Sequence, residues 1–296
     1  MKKIAITGLS GVIGQILSEE ISPKAQIIDF FHKTKYSGLA RIQKHVHFDL
    51  LDKAKISTIL KRVNPDIVVH MAAITHVDRC EKDKKQGKDG IVWKTNVEGT
   101  REIAKFCAKH KIPLIFLSTE CVFDGKQKFF SENSKKNPIN WYGTTKNEAE
   151  DVILSSGAPV TIIRSVVAYH INDDKKTIYG KILNELKSKN HISAVNDQLF
   201  TPTHTYDIVK AINQVIDNKL LGIYHVAPKK SLTPYDFALL VADKNKYSRN
   251  FVSKTTLQSY YDPKRAALRL RHACLSGTKS NKIFKFIPKN PESVLY

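Results

Sequence analysis

Tyr142 and Lys146 stand four residues apart in Trp141-Tyr142-Gly143-Thr144-Thr145-Lys146, a spacing that puts both side chains on one face of a helix. A free tyrosine titrates near about 10 and relays protons poorly at neutral pH. An adjacent ammonium stabilises the phenolate and is expected to lower that value. Tyr142 can then give a proton to the oxyanion that forms as a carbonyl accepts hydride, while Lys146 can also bind ribose hydroxyls. A hydroxyl partner for the carbonyl is expected from Leu117-Ser118-Thr119-Glu120, because ligands of open α/β sheets lie beyond the carboxyl ends of the strands. Thr119 suits that role, and Ser118 reads as strand-end capping.

A second constellation lies near the start of the chain. Thr7-Gly8-Leu9-Ser10-Gly11-Val12-Ile13-Gly14 places glycines at 8, 11 and 14 between an apolar run and a helical pattern. In that setting Gly8 permits a tight turn, Gly11 lets the backbone approach a pyrophosphate, and Gly14 lets the helix pack on the sheet. The helix beginning near Val12 would attract the pyrophosphate with its free N–H groups. The end of the next strand, Ile28-Asp29-Phe30-Phe31-His32-Lys33, discriminates between cofactors. Asp29 can bind a ribose 2′-hydroxyl, whereas His32, Lys33 and Lys35 can pair with a 2′-phosphate. The basic run favours NADPH over NADH. Asp49 can accept a hydrogen bond from an adenine amino group, and Asp52 reads as a helix cap.

The elements that must position these groups follow from periodicity. Strands are expected at Lys3–Thr7, Ala25–Phe30, Val46–Phe48, Asp66–Met71, Pro113–Ser118 and Val160–Arg164. Helices are expected at Val12–Glu20, Lys53–Arg62, Val92–His110 and Trp141–Leu154. The apolar runs do not alternate with polar residues, as a parallel sheet buried on both faces requires. The expected fold is α/β, a doubly wound parallel Rossmann sheet with a smaller C-terminal substrate-binding domain. Residues 1–165, with a returning segment at about 203–228, would bind the dinucleotide; residues 166–202 and 229–296 would bind substrate. In the second half, helices are expected at Ile178–Lys187, Thr205–Asp217 and Thr233–Ala242, and strands at Ile192–Val195 and Gly222–Val226. The polar tail from Tyr247 gives no clear pattern.

Composition narrows the function classes. The chain has 296 residues, 42% of them hydrophobic, which suits a globular protein. No stretch of 18 apolar residues occurs, so no membrane span is expected; the reading is a cytoplasmic protein. Four scattered cysteines, Cys80, Cys107, Cys121 and Cys274, form no C-x-x-C pair, and the 11 histidines form no H-E-x-x-H pattern. Neither a disulfide framework nor a metal site is expected. The formal net charge of +20 reads as solvation plus attraction for a phosphate-bearing ligand, since no nucleic-acid motif accompanies the lysines. No nucleic-acid partner is expected. The oligomeric state stays open, with a homodimer as the expectation should the chain self-associate.

These stretches together resemble the dTDP-4-dehydrorhamnose reductase family of extended short-chain dehydrogenases. The matching segments are Thr7–Gly14, Pro65–Ala73, Thr75-His76-Val77-Asp78, Asn96-Val97-Glu98-Gly99, Ser118–Gly125, Pro138–Lys146, Val195-Asn196-Asp197-Gln198 and Thr201-Pro202-Thr203, with Arg269–Leu275 as a further match. The resemblance implies Thr119, Tyr142 and Lys146 as a catalytic trio. It implies cofactor contacts from Gly8, Ser10, Gly11, Val12, Ile13, Gly14, Asp49, Leu50, Ala72, Ala73 and Thr75, and NAD(P)H reduction of a 4-keto-6-deoxy nucleotide sugar. Sugar contacts would come from Thr75, Val77, Thr119, Glu120, Cys121, Val167 and Gln198.

The chain departs from the family where Ser118-Thr119-Glu120-Cys121 stands for Ser-Thr-Asp-Tyr, and where Val167 stands for a tryptophan. A roomier sugar pocket is the expected consequence. Two other readings remain open: a nucleotide-sugar epimerase or dehydratase, and a non-catalytic NADP-binding subunit resembling the methionine adenosyltransferase beta subunit.

Overall fold

The computed structural model describes residues 1–36, 42–172, 174 and 176–295. Seven strands form one parallel sheet: β1 (Lys2–Thr7), β2 (Ala25–Phe31), β3 (Ile42–His47), β4 (Ile67–His70), β5 (Leu114–Thr119), β6 (Val160–Ser165) and β11 (Gly222–Val226). Their spatial order is β3-β2-β1-β4-β5-β6-β11. The direction of winding reverses between β1 and β4, which is the crevice where open α/β sheets bind ligands.

Successive residues of each strand face opposite layers. Ile4 and Ile6 pack under α1 (Val12–Glu20) and α8 (Thr205–Asn218). Ala5 and Val68 pack against the layer of α2 (Lys53–Val63), α5 (Thr100–His110) and α6 (Trp141–Leu154). Both faces are therefore dry, which is why the strands read as unbroken apolar runs. A third cluster builds the second unit, from Phe123, Phe130, Tyr169, Tyr179, Leu186, Phe200 and Phe237. It draws on β7 (Ala168–Tyr169), α7 (Ile178–Lys187), β9 (Leu199–Phe200) and α9 (Pro234–Lys244).

Most expected elements are present with ends shifted by a few residues. The helix expected at Val92–His110 is instead three pieces: α4 (Ile91–Trp93), a π-helical turn at Lys94–Gly99, and α5. The tail that gave no clear pattern is ordered into short elements, among them β12 (Val252–Thr255), β13 (His272–Ala273) and α12 (Thr278–Phe284). Two two-stranded parallel pairs tie it down, β12 with β8 (Ile192–Val195) and β13 with β9, and a third pairs β10 (Thr203–His204) with β7. Strands of two residues carry too little periodicity to be recognised in sequence, whereas β8 has the bounds expected of it.

Candidate active site

The glycine turn joins β1 to α1 as the spacing implies. Gly8 has φ +79°, and a Cβ there would lie 2.9 Å from the Ala72 nitrogen at the end of β4. A Cβ on Gly14 would lie 2.5 Å from the Gly8 carbonyl oxygen and the Leu9 Cα, so that glycine sets the approach of α1 to the turn. At Gly11 a Cβ would meet only the Gly8 oxygen, at 3.1 Å, leaving the space beyond it open. Gly11 is also the extended N-cap of α1, and no side chain caps the helix. The first-turn N–H groups of an uncapped helix suit a pyrophosphate. Ser10, Val12 and Ile13 are half-buried around this cradle.

Beside it, the loop after β4 is held by a buried relay. The Thr7 hydroxyl bonds His70 Nδ1 at 2.7 Å, and His70 Nε2 meets the Thr100 hydroxyl at 2.9 Å. Thr100 in turn donates to the Asn96 carbonyl at 2.7 Å. Thr7 Oγ1 also accepts the N–H groups of Met71 and Ala72. Asn96, inside the π-helical turn, brackets Ile74 by accepting from its N–H at 2.8 Å and donating to its carbonyl at 2.9 Å. Ala72 and Ala73 are thereby fixed half-buried at the crevice, with Thr75 exposed and Val77 opening α3 (Val77–Asp83). Burial pulls the His70 pKa down to about 3, with Lys146 adding to the effect. Sequence reasoning gave no role to Thr7, His70 or Asn96. A histidine inside an apolar strand was the available signal for this relay.

At the far side of β1, Asp29 is buried within β2, not at its end. It pairs with His45 Nδ1 at 2.9 Å and accepts the Tyr36 N–H at 3.3 Å. Those partners withdraw it from the ribose role considered above. His32 and Lys33 lie just past the strand end and are exposed, with His47 5.9 Å from His32 by ring centroid and Lys35 over the Phe31 ring. Asp49 sits 3.6 Å from His32 and accepts the Leu51 N–H; Leu50 is buried. Asp52 caps α2 through the Lys55 N–H.

Thr119, Glu120, Cys121 and Tyr142 converge at the carboxyl end of β5. Asn140 caps α6 by accepting the Gly143 N–H at 2.7 Å. A Cβ on Gly143 would collide with the Cys121 carbonyl oxygen, so α6 rests directly on the Glu120–Val122 turn. The Thr119 hydroxyl donates to Glu120 at 2.7 Å and lies beside the Tyr142 phenol, whose ionised form it favours. Burial nevertheless drives the Tyr142 pKa well above its usual value, with the neighbouring Cys121 and Glu120 adding to the rise. This departs from the expected lowering by Lys146. The Lys146 amine is itself buried, donates to the Leu117 carbonyl at 2.7 Å and lies 3.7 Å from the Phe116 ring centroid. Desolvation brings its pKa down to about 7, with Glu150 opposing that fall.

Ser118 does more than end a strand. Its hydroxyl donates to Glu150 at 2.6 Å, and Glu150 is gripped by Arg164 through two bonds of 2.8 and 2.6 Å. Arg164 Nη1 also reaches His225 Nε2 at 3.2 Å, whose Nδ1 meets the Phe130 carbonyl. This buried network locks α6 to β5, β6 and β11. Sequence reasoning named Arg164 only as a segment marker and missed Glu150, because the partners lie on different elements.

The C-terminal part of the chain packs against α3 and the start of α6. Arg265 and Arg269 both bond Asp78 on α3, at 2.6 and 2.7 Å, and both stack on Tyr261. Asn140 and Gln198 donate to the carbonyls of Leu268 and Leu270. Val167 is 42% exposed just before β7, whereas Cys121 is buried. A cavity of about 900 Å³ opens at the opposite, amino-terminal end of the sheet, between Ile4, Ile67, Leu114 and Leu220; it takes no part in this arrangement. Among the described residues no group of three or more His, Cys, Asp or Glu side chains is placed to hold a metal, and no helix is long and apolar enough to cross a membrane. All four cysteines are free and buried.

The chain is similar to known proteins over most of its length. The chain is 24% identical over its whole length to a dTDP-4-dehydrorhamnose reductase of Aggregatibacter actinomycetemcomitans, covering 97% of it. It is 26% identical to the methionine adenosyltransferase 2 subunit beta of Xenopus laevis, over 82% of this chain and 72% of that one. A solved dTDP-4-dehydrorhamnose reductase from Bacillus anthracis, in complex with NADP, shares the fold, with a TM-score of 0.85, 24% identity and coverage of 99% and 97%. Residues 1–295 match the family described as RmlD substrate binding domain, and the chain belongs to that family.

Proposed function

We propose that the protein is an NAD(P)H-dependent reductase of a 4-keto-6-deoxy nucleotide sugar, of the dTDP-4-dehydrorhamnose reductase kind. The observation that carries this reading is the convergence of Thr119 and Tyr142, with Lys146 on the same helix, beside a glycine cradle at the switch point of the sheet. The cradle fits a dinucleotide: Gly11 leaves room for a pyrophosphate, the α1 N-terminus is uncapped, and the exposed His32 and Lys33 past the end of β2 support pairing with a 2′-phosphate. When bound, the nicotinamide supplies hydride.

The protein's own groups do the rest. Thr119 orients the carbonyl oxygen, and Tyr142 is the acid that protonates the oxyanion. Lys146 is turned to Leu117 and would move toward ribose hydroxyls and the phenol as the site fills. Thr75, Val77, Glu120, Cys121, Val167 and Gln198 remain the proposed sugar contacts. The proposed division of labour gives residues 1–165 and 203–228 to the cofactor and the remainder to substrate, although Phe284 of α12 packs back on Tyr224 of β11.

Tyr142→Phe keeps the ring and removes the acid. Turnover of a panel of 4-keto-6-deoxy nucleotide sugars should drop roughly a hundredfold to ten-thousandfold, the usual contribution of a general acid, with cofactor affinity little changed. Equal reduction by wild type and variant would remove Tyr142 from the mechanism. The similarity to the methionine adenosyltransferase beta subunit supports a second reading, a non-catalytic cofactor-binding subunit. Tight cofactor binding with no oxidation of it across the panel would favour that reading.

A further inference from the structure

The cavity at the amino-terminal end of the sheet has no part in the chemistry proposed above. Its volume of about 900 Å³ falls within the range of pockets that enclose small ligands. Its floor is made where strands begin: Ile4 of β1, Ala25 of β2, Ile67 of β4 and Leu114 of β5, all buried. Leu220 and Leu221, which follow α8, close one side, and Leu221 is 55% exposed. Among the described residues no aromatic ring lines the cavity.

The polar side chains of its wall are engaged within the chain. The Thr161 hydroxyl donates to the Leu220 carbonyl, the Asn213 amide to the Glu20 carbonyl at 2.9 Å, and the Lys2 amine to the Ile216 carbonyl at 3.2 Å. Asp66 accepts the Lys3 N–H at 2.7 Å, and the Ser22 hydroxyl accepts the Lys24 N–H at 3.3 Å. The interior thus offers a ligand chiefly carbon surface. The charges left over are the exposed side chains of Lys24, Lys219 and Asp217, two ammonium groups against one carboxylate.

We propose that this cavity binds an aliphatic amphiphile with an anionic head, of the fatty-acid class, with its chain on the strand starts and its carboxylate beside Lys24 and Lys219. Two observations select that chemistry. A wall of Ile, Leu, Val, Ala and Pro without a ring gives a flat aromatic ligand nothing to stack on, whereas an alkyl chain needs only apolar surface removed from water. An exposed apolar hollow of this kind marks a binding surface. The head group follows from charge. The net charge of +20 draws anions to the molecule, and the two lysines outnumber Asp217 at the cavity itself. The site lies at the end of the sheet away from Tyr142 and the glycine cradle, so the proposal does not depend on the reductase reading.

Calorimetric titration of the full chain with octanoate, decanoate and dodecanoate, each below its micelle concentration, tests this. One equivalent should bind, with affinity rising about fourfold for each added methylene, the transfer gain of a buried CH₂. Decanol and decyltrimethylammonium keep the chain and change the head. Both should bind more weakly than decanoate, and added salt should narrow the difference. Lys24→Gln with Lys219→Gln alters exposed positions only. That variant should lose roughly threefold to tenfold in decanoate affinity, as two exposed charge contacts predict, and bind decanol as wild type does. Ala25→Phe puts a ring into the hollow and should abolish binding of all three acids; the lysine variant keeps the test decisive if that ring unfolds the protein. The absence of saturable binding overturns the proposal. So does equal affinity for the three chain lengths, tighter binding of the cationic amphiphile, or decanoate affinity indifferent to both lysines. A dimer in sedimentation that Ala25→Phe dissociates and decanoate leaves intact also overturns it, because the hollow would then be a contact between two copies of the chain.

Discussion

At the residue scale, the site depends on what burial does to a few ionisable and achiral positions. Burial raises Tyr142 and Glu120 and lowers Lys146, so each is shifted toward its neutral form. Gly11 poses the simplest test of the cradle. A valine Cβ meets only the Gly8 oxygen, at 3.1 Å, so the fold should tolerate the change while the branched methyls fill the space for a pyrophosphate. Gly11→Val is expected to melt close to wild type and to show no NAD(P)(H) binding by calorimetry. Undiminished binding would place the pyrophosphate elsewhere.

At the scale of elements, α6 carries both Tyr142 and Lys146, and its position is set by Glu150. That carboxylate is wholly buried and holds Arg164 by two bonds and Ser118 by a third. Removing one partner strands a buried charge. Glu150→Ala should therefore cost about 3–5 kcal/mol by chemical denaturation; a loss of under 1 kcal/mol would mean that the pair does not hold the helix.

The same network sets an acid limit. Desolvation alone would raise the Glu150 pKa, but Arg164 and Ser118 win and hold it below its ordinary 4.5. Its contribution is present above that value and lost as pH falls through the lower folded one. His70 and His225 act in the same direction. Burial holds both near about 3 against 6.5 when exposed. The unfolded chain binds more protons across that window, so stability should decline as pH drops from 6.5 toward 3. A denaturation midpoint that stays level from pH 7 to 4.5 would contradict this.

At the scale of the whole molecule, a net charge of +20 favours the more anionic of two similar ligands. The exposed His32 and Lys33 past the end of β2 add a local reason, and Asp29 no longer opposes them because His45 and Tyr36 occupy it. NADPH should therefore bind more tightly than NADH. Added salt should narrow the gap, and Lys33→Ala should weaken NADPH by about fivefold, the upper range for an exposed ion pair. Equal affinities, indifferent to salt and to Lys33, would refute this. The clasp of Asp78 with Arg265 and Arg269 ties the C-terminal part of the chain to α3.

The chain alone determined the doubly wound sheet, the glycine turn and the Tyr142–Lys146 spacing, because each is a local signal. Apolar runs, a strand–turn–helix junction and an i, i+4 pair are all written within a few residues of one another. Only the tertiary structure decided what the buried groups do. The direction of the Tyr142 shift, the burial of Asp29 against His45 and the Glu150–Arg164 bond depend on residues 14 positions or more apart meeting in a dry interior. The π-helical turn at Lys94–Gly99 and the short strands of the tail were illegible for the same reason. Asn96 brackets Ile74 across 22 residues, and β13 pairs with β9 from far along the chain. Local sequence encodes periodicity, whereas desolvation and partner choice come into being only when distant segments exclude water together.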